Sequence, residues 1–156
     1  MSQKIIIMGG GFLLAVLWFD LMFDVQVWPH WGAETIPEQV LASIAGYYQR
    51  VTTDAAPMNL LVGFMMFLTI GAAIWNLMSG PQSLWVRIGT LILLSVPVIA
   101  AQTVIFPGAQ QLAARADTLA VQTDLANAIF SAHVACFVAI TLMLVLQFLP
   151  ARRDAT

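Results

Sequence analysis

Asp20 and Asp24 lie four residues apart inside an apolar run, Ile5 to Trp28, that is long enough to cross a bilayer as a helix. That spacing puts both carboxylates on one helix face, in the stripe Leu13, Leu17, Asp20, Asp24 and Val27. A charged side chain at bilayer depth costs about 2.5–3.5 kcal/mol on insertion scales, so two acids on one stripe require a proton, a partner, a metal or water. His133, in a later apolar run, is the imidazole available to them. Counting about 1.5 Å per residue inward from Trp28 and from Leu125 places Asp20 and His133 each about 12 Å deep, which makes Asp20–His133 the expected pair. Gln26, Asn59, Gln102 and Asn127 fall near the same outer depth and are expected to line the pocket and orient a substrate.

Three chemistries suit such a pocket. Asp20, Asp24 and His133 could hold iron or copper, with Gln102 and water completing the shell. The EXXH pairs of four-helix di-iron carboxylate sites are not in the sequence. Alternatively, an Asp–His pair could move a proton, with Asp20 or Asp24 as base and His133 as carrier. Finally, the same residues could only fix helix register or a subunit contact, at about 0.6–2 kcal/mol per hydrogen bond. The single cysteine, Cys136, rules out an intrachain disulfide and a CxxC pair, and its apolar surroundings read as packing.

The elements that must carry these residues follow from composition. Hydrophobic residues make up 60% of the 156 positions and charged residues 9%, against about 25% charged in ordinary soluble domains. The chain therefore reads as one integral membrane domain, 1–156, all-α: a polytopic four-helix bundle with spans at about 5–28, 57–78, 84–106 and 125–149. Between the first two spans, Thr35-Ile36-Pro37-Glu38 resembles a capping box and predicts a short amphipathic outer-surface helix over about 37–50. Trp28, Trp31, Tyr47 and Tyr48 suit the membrane interface. Residues 107–124 read as an outward extension of the fourth helix, Pro97 predicts a kink in the third, and Gly9-Gly10-Gly11 permits close approach of a neighbour. Lys4, Arg87, Arg152 and Arg153 fall on one side, which places both termini in the cytoplasm, and the expected location is a bacterial inner membrane. No basic cluster is available for nucleic acid, so the expected partners are the lipid bilayer, a hydrophobic small molecule, and further copies or a larger membrane complex.

The second half resembles the anthrone-oxygenase-like family of small four-helix membrane proteins. The likeness rests on Thr103, Val104-Ile105-Phe106-Pro107, Gln110-Gln111-Leu112 and His133, together with Ala56-Pro57 entering the second span. Cys136, Ile129 and Gly108-Ala109 depart from the family's pattern. The resemblance implies a membrane-bound, oxygenase-like oxidoreductase acting on an apolar aromatic or lipid-like substrate, with His133 as the transferred catalytic residue. Oxygenase-like or proton-transfer chemistry at Asp20, Asp24 and His133 is the leading expectation; an accessory or assembly subunit of a larger complex is the alternative, and a small transporter the third.

Overall fold

The computed structural model describes residues 1–149; the cations Arg152 and Arg153 lie outside the described residues. Among the described residues the chain is helical, without strands. Helix α1 (Ser2–Asp24) runs into a 3₁₀ segment, Val25–His30. Helix α2 (Glu38–Thr52) follows, then α3 (Ala56–Ser79) and α4 (Leu84–Ala100), which continues through a π segment, Ala101–Ile105, into α5 (Phe106–Ala114). Helix α6 (Leu119–Gln147) completes the set. Four stretches, Ser2–His30, Pro57–Ser79, Leu84–Ala114 and Leu119–Gln147, are long and apolar enough to cross a membrane.

Around the bundle α1 lies against α3 and α6, and α4 lies against α6; the edge between α3 and α4 is packed more sparsely. Gly9 and Gly10 explain how α1 fits between its neighbours. A Cβ on Gly9 would meet Thr69 of α3 at 1.9 Å, and one on Gly10 would meet Met143 of α6 at 2.6 Å. The glycine cluster is thus used within the chain, with Gly11 alone facing open space.

Two apolar cores result. The inner one joins Ile6, Leu13, Ala73, Leu94, Ile140 and Met143 from the four spans. The outer one is built where α2 lies over α5 and the start of α6, through Leu41, Ile44, Leu112, Ala126 and Ile129. Below the inner core, Asn76, Gln82, Thr90 and Gln147 are buried as a polar layer: Asn76 Nδ2 donates to Gln82 Oε1 (2.9 Å), and Gln147 Nε2 donates to Thr90 Oγ1 (2.8 Å).

Several local expectations change. Helix α2 starts at Pro37 without a side-chain cap, because Thr35 is not the capping residue; the Ile36 N–H donates instead to Thr123 Oγ1 of α6 (2.9 Å). Residues 107–124 are not simply an extension of the fourth helix. Their first part prolongs the third through the π segment, with Pro107 in the first turn of α5. The turn follows at Arg115, left-handed at φ 53°, whose guanidinium pairs with Glu38 of α2. Pro97 lies inside α4, and Ser95 donates to Ile92 O (2.7 Å), one residue short of the Leu93 carbonyl that the proline frees.

The glycine contacts give a direct test. Gly9→Ala should lower the stability of the purified protein by about 1–3 kcal/mol, the usual cost of overpacking, as read by thermal unfolding in detergent. Gly11→Ala should leave it unchanged or raise it slightly. Equal behaviour of the two variants would refute the close α1–α3 approach.

Candidate functional site

The helical repeat of α1 carries Asp20 and Asp24 to the same side, where α2 and α6 meet it. Asp24 is 1% exposed, and its two oxygens are both engaged: the Tyr48 hydroxyl donates to Oδ1 (2.6 Å) and His133 Nδ1 lies 2.6 Å from Oδ2. With Asp24 ionised, its oxygens are acceptors alone, and Nδ1 is then the donor. One turn away, the Tyr47 hydroxyl donates to Asp20 Oδ1 (2.6 Å), while Asp20 Oδ2 is 3.8 Å from His133 Nε2. That separation exceeds hydrogen-bonding distance. The closer partner of His133 is therefore Asp24, not Asp20 as expected. Counting depth placed the imidazole within one turn of its partner, but helix rotation decided which carboxylate it meets.

The tyrosines are the part of the cluster that sequence reasoning placed elsewhere. Tyr48 is 2% exposed and so belongs to the outer core, not to the membrane interface. Tyr47 stacks on Phe23, with ring centroids 4.0 Å apart and planes 9° from parallel. Adjacent residues on a helix point about 100° apart, so one Tyr-Tyr pair reaches two carboxylates that are stacked along α1. The available signal was a pair of hydroxyl-bearing rings on the apolar side of an amphipathic helix, where buried tyrosines normally need a hydrogen-bond partner.

The expected pocket-lining residues do not join this cluster. Gln26 Nε2 donates to Phe23 O (3.0 Å) on its own helix, and Asn59 Nδ2 donates to Val51 O (2.7 Å), tying the end of α2 to the start of α3. Gln102 is exposed in the π segment. Asn127 is half-buried, and its Oδ1 has no partner among the described residues. As for the expected iron or copper site at Asp20, Asp24 and His133, no group of three or more His, Cys, Asp or Glu among the described residues is arranged to hold a metal ion. Hydrogen bonds engage Asp20 Oδ1, both Asp24 oxygens and His133 Nδ1, while Asp20 Oδ2 and His133 Nε2 make none among the described residues.

Beside Asp20 and His133 lies a cavity of about 100 Å³ between α1, α3, α4 and α6, with otherwise apolar walls that include Cys136. Cys136 is fully buried there, in keeping with a packing role.

Burial, followed by the charge of the neighbouring carboxylates, pushes the Tyr47 and Tyr48 phenols above the ordinary value of about 10. Above that pH the unfolded chain releases phenolic protons that the folded chain retains. Stability must then fall as pH rises, because the unfolded state binds fewer protons. We expect denaturant midpoints to decline above pH about 10, and to decline less in the Tyr47→Phe/Tyr48→Phe double variant. At neutral pH, Tyr48→Phe should cost about 1–3 kcal/mol, since it strips a buried carboxylate of a donor; Tyr47→Phe, at a less buried position, should cost less. A Tyr48→Phe protein as stable as the native one would show that this bond contributes nothing.

No curated protein and no solved structure matches the chain. A family model described as SHR3 chaperone, ER membrane protein SH3, matches residues 1–149. This is a different family from the anthrone-oxygenase-like one, so that resemblance is overturned; the residues behind it were short, degenerate motifs in half of the chain, whereas the family match runs across all four spans. The expected bacterial inner membrane is overturned with it, because the endoplasmic reticulum is a eukaryotic compartment. With residues 1–149 of 156 matched, the chain belongs to the SHR3 chaperone family of ER membrane proteins.

Proposed function

We propose that the protein is an accessory factor that assists the assembly of other integral membrane proteins in the ER membrane. The family description supports this reading. In the structure, the observation that carries it is the outer half of α3. From Pro57 to Leu68 not one described side chain is buried, whereas the inner half buries Thr69, Ala72, Ala73 and Asn76 against its neighbours. Met58, Leu60, Leu61, Phe64 and Phe67 are all exposed there. An outer face left open for three turns leaves room for another membrane helix to pack, and Gly63, whose added Cβ would meet nothing within 4 Å, lets a backbone come close.

In this reading the Asp20, Asp24, Tyr47, Tyr48 and His133 cluster is a joint between α1, α2 and α6 and performs no reaction. The cationic side chains Lys4 and Arg87 keep the inner ends of the spans in the cytoplasm, so the cluster and α2 face the lumen.

A photo-crosslinking residue at Phe64 tests the proposal in ER membranes that are synthesising polytopic proteins. Crosslinks from position 64 to newly made membrane proteins are the expected outcome, with none from Leu94, which is buried inside the bundle. Crosslinks to lipid alone at position 64 would overturn the assignment.

A further inference from the structure

The cavity beside the cluster ends on two acceptors that share one space. His133 is 3% exposed and its Nδ1 lies 2.6 Å from Asp24 Oδ2; with the imidazole neutral and Nδ1–H donating there, Nε2 is an acceptor, and Asp20 Oδ2 stands 3.8 Å from it. Both residues line the cavity, and among the described residues neither of these two atoms makes a hydrogen bond. Two acceptors so close repel each other unless a donor lies between them. Among the described residues no lysine or arginine forms an ion pair with Asp20 or Asp24, and the basic group beside both carboxylates is His133. The remaining walls, with Leu17, Val62, Met66, Pro97 and Ile105 among them, are apolar.

We propose that this cavity binds a small amphiphilic amine, with its ammonium group donating to both Asp20 Oδ2 and His133 Nε2 and its hydrocarbon body lying among Leu17, Val62, Met66 and Ile105. An ammonium group has three N–H donors and no acceptor, which complements two acceptors. A neutral alcohol has one donor and can satisfy only one of them. The volume of about 100 Å³ suits a chain of about four or five carbons, by comparison with the six carbons of benzene in an apolar cavity of about 150 Å³. Entry is easiest between α3 and α4, which pack more sparsely than the other neighbouring spans and where Val62 and Met66 form the wall. The site does not depend on the assembly role, and either proposal can fail without the other.

The test uses the full-length protein in phosphatidylcholine nanodiscs, with ¹⁵N-labelled histidine and n-butylammonium as probe. We expect a saturable shift of the His133 Nε2 resonance, with none from n-butanol at the same concentration. Asp20→Asn, which nearly preserves shape, should weaken binding at least about tenfold through loss of a charge-assisted hydrogen bond. Val62→Trp fills the cavity from α3 without touching the polar groups and should abolish binding while leaving the Tyr48 and Asp24 contacts intact. Gln102→Ala, outside the cavity, should bind normally. Equal shifts from amine and alcohol would reduce the effect to membrane partition, and undiminished binding in either Asp20→Asn or Val62→Trp would overturn the site.

Discussion

The constraint on which the outer half of this protein depends is that Asp24 is buried where water cannot reach it. A carboxylate in an apolar interior is tolerated only if its lone pairs are met, and here one oxygen takes the Tyr48 hydroxyl and the other the His133 imidazole. Those two donors come from α2 and α6. Satisfying one side chain of α1 therefore fixes the positions of two other helices, and α2, too short and too polar to enter the membrane as a span, is held on the bundle by it. The apolar contacts of Leu41 and Ile44 supply area, but apolar contact is not directional, whereas the phenol–carboxylate bonds select one rotation of α2.

The molecule has a polar belt near each end of an apolar middle, and the two belts differ in kind. At the inner end Gln147 bonds to Thr90 between α6 and α4, and Asn76 of α3 bonds to Gln82 of the turn that follows it, all through neutral groups. At the outer end the belt contains two acids and an imidazole, and so can carry charge. Neutral amide pairs suit a bundle that only has to stay closed. The ionisable belt lies beside a cavity and next to the sparsely packed α3–α4 edge.

Membership of a chaperone family agrees with that distribution of packing. A protein that assists other membrane proteins needs a stable frame and a surface that remains open. Here α1 and α6 form the frame, closed by Gly9 and Gly10, while the outer half of α3 is left unburied. The difference follows from side-chain volume along α3: Thr69, Ala72 and Ala73 are small enough to sit against α1, whereas Met58, Leu60, Phe64 and Phe67 are large and stand outward.

The sequence by itself determined the membrane class, four spans and the amphipathic helix between the first two, because 20-residue apolar runs and a 3.6-residue period are local properties. It also determined that Asp20 and Asp24 share one face and need relief by a proton, a partner, a metal or water, since unpaired acids on one intramembrane stripe are costly wherever the other helices lie. It did not decide that His133 would choose Asp24, that Tyr47 and Tyr48 would supply the remaining donors, or that Gln26, Asn59 and Gln102 would stay out of the cluster. Those outcomes rest on helix rotation and on how α2 folds back over α5 and α6, and rotation leaves no trace in depth along a helix. The path of residues 107–119 was likewise decided by tertiary structure: the π segment and the left-handed turn at Arg115 carry α5 under α2, a course that local propensity around Pro107 would have ended.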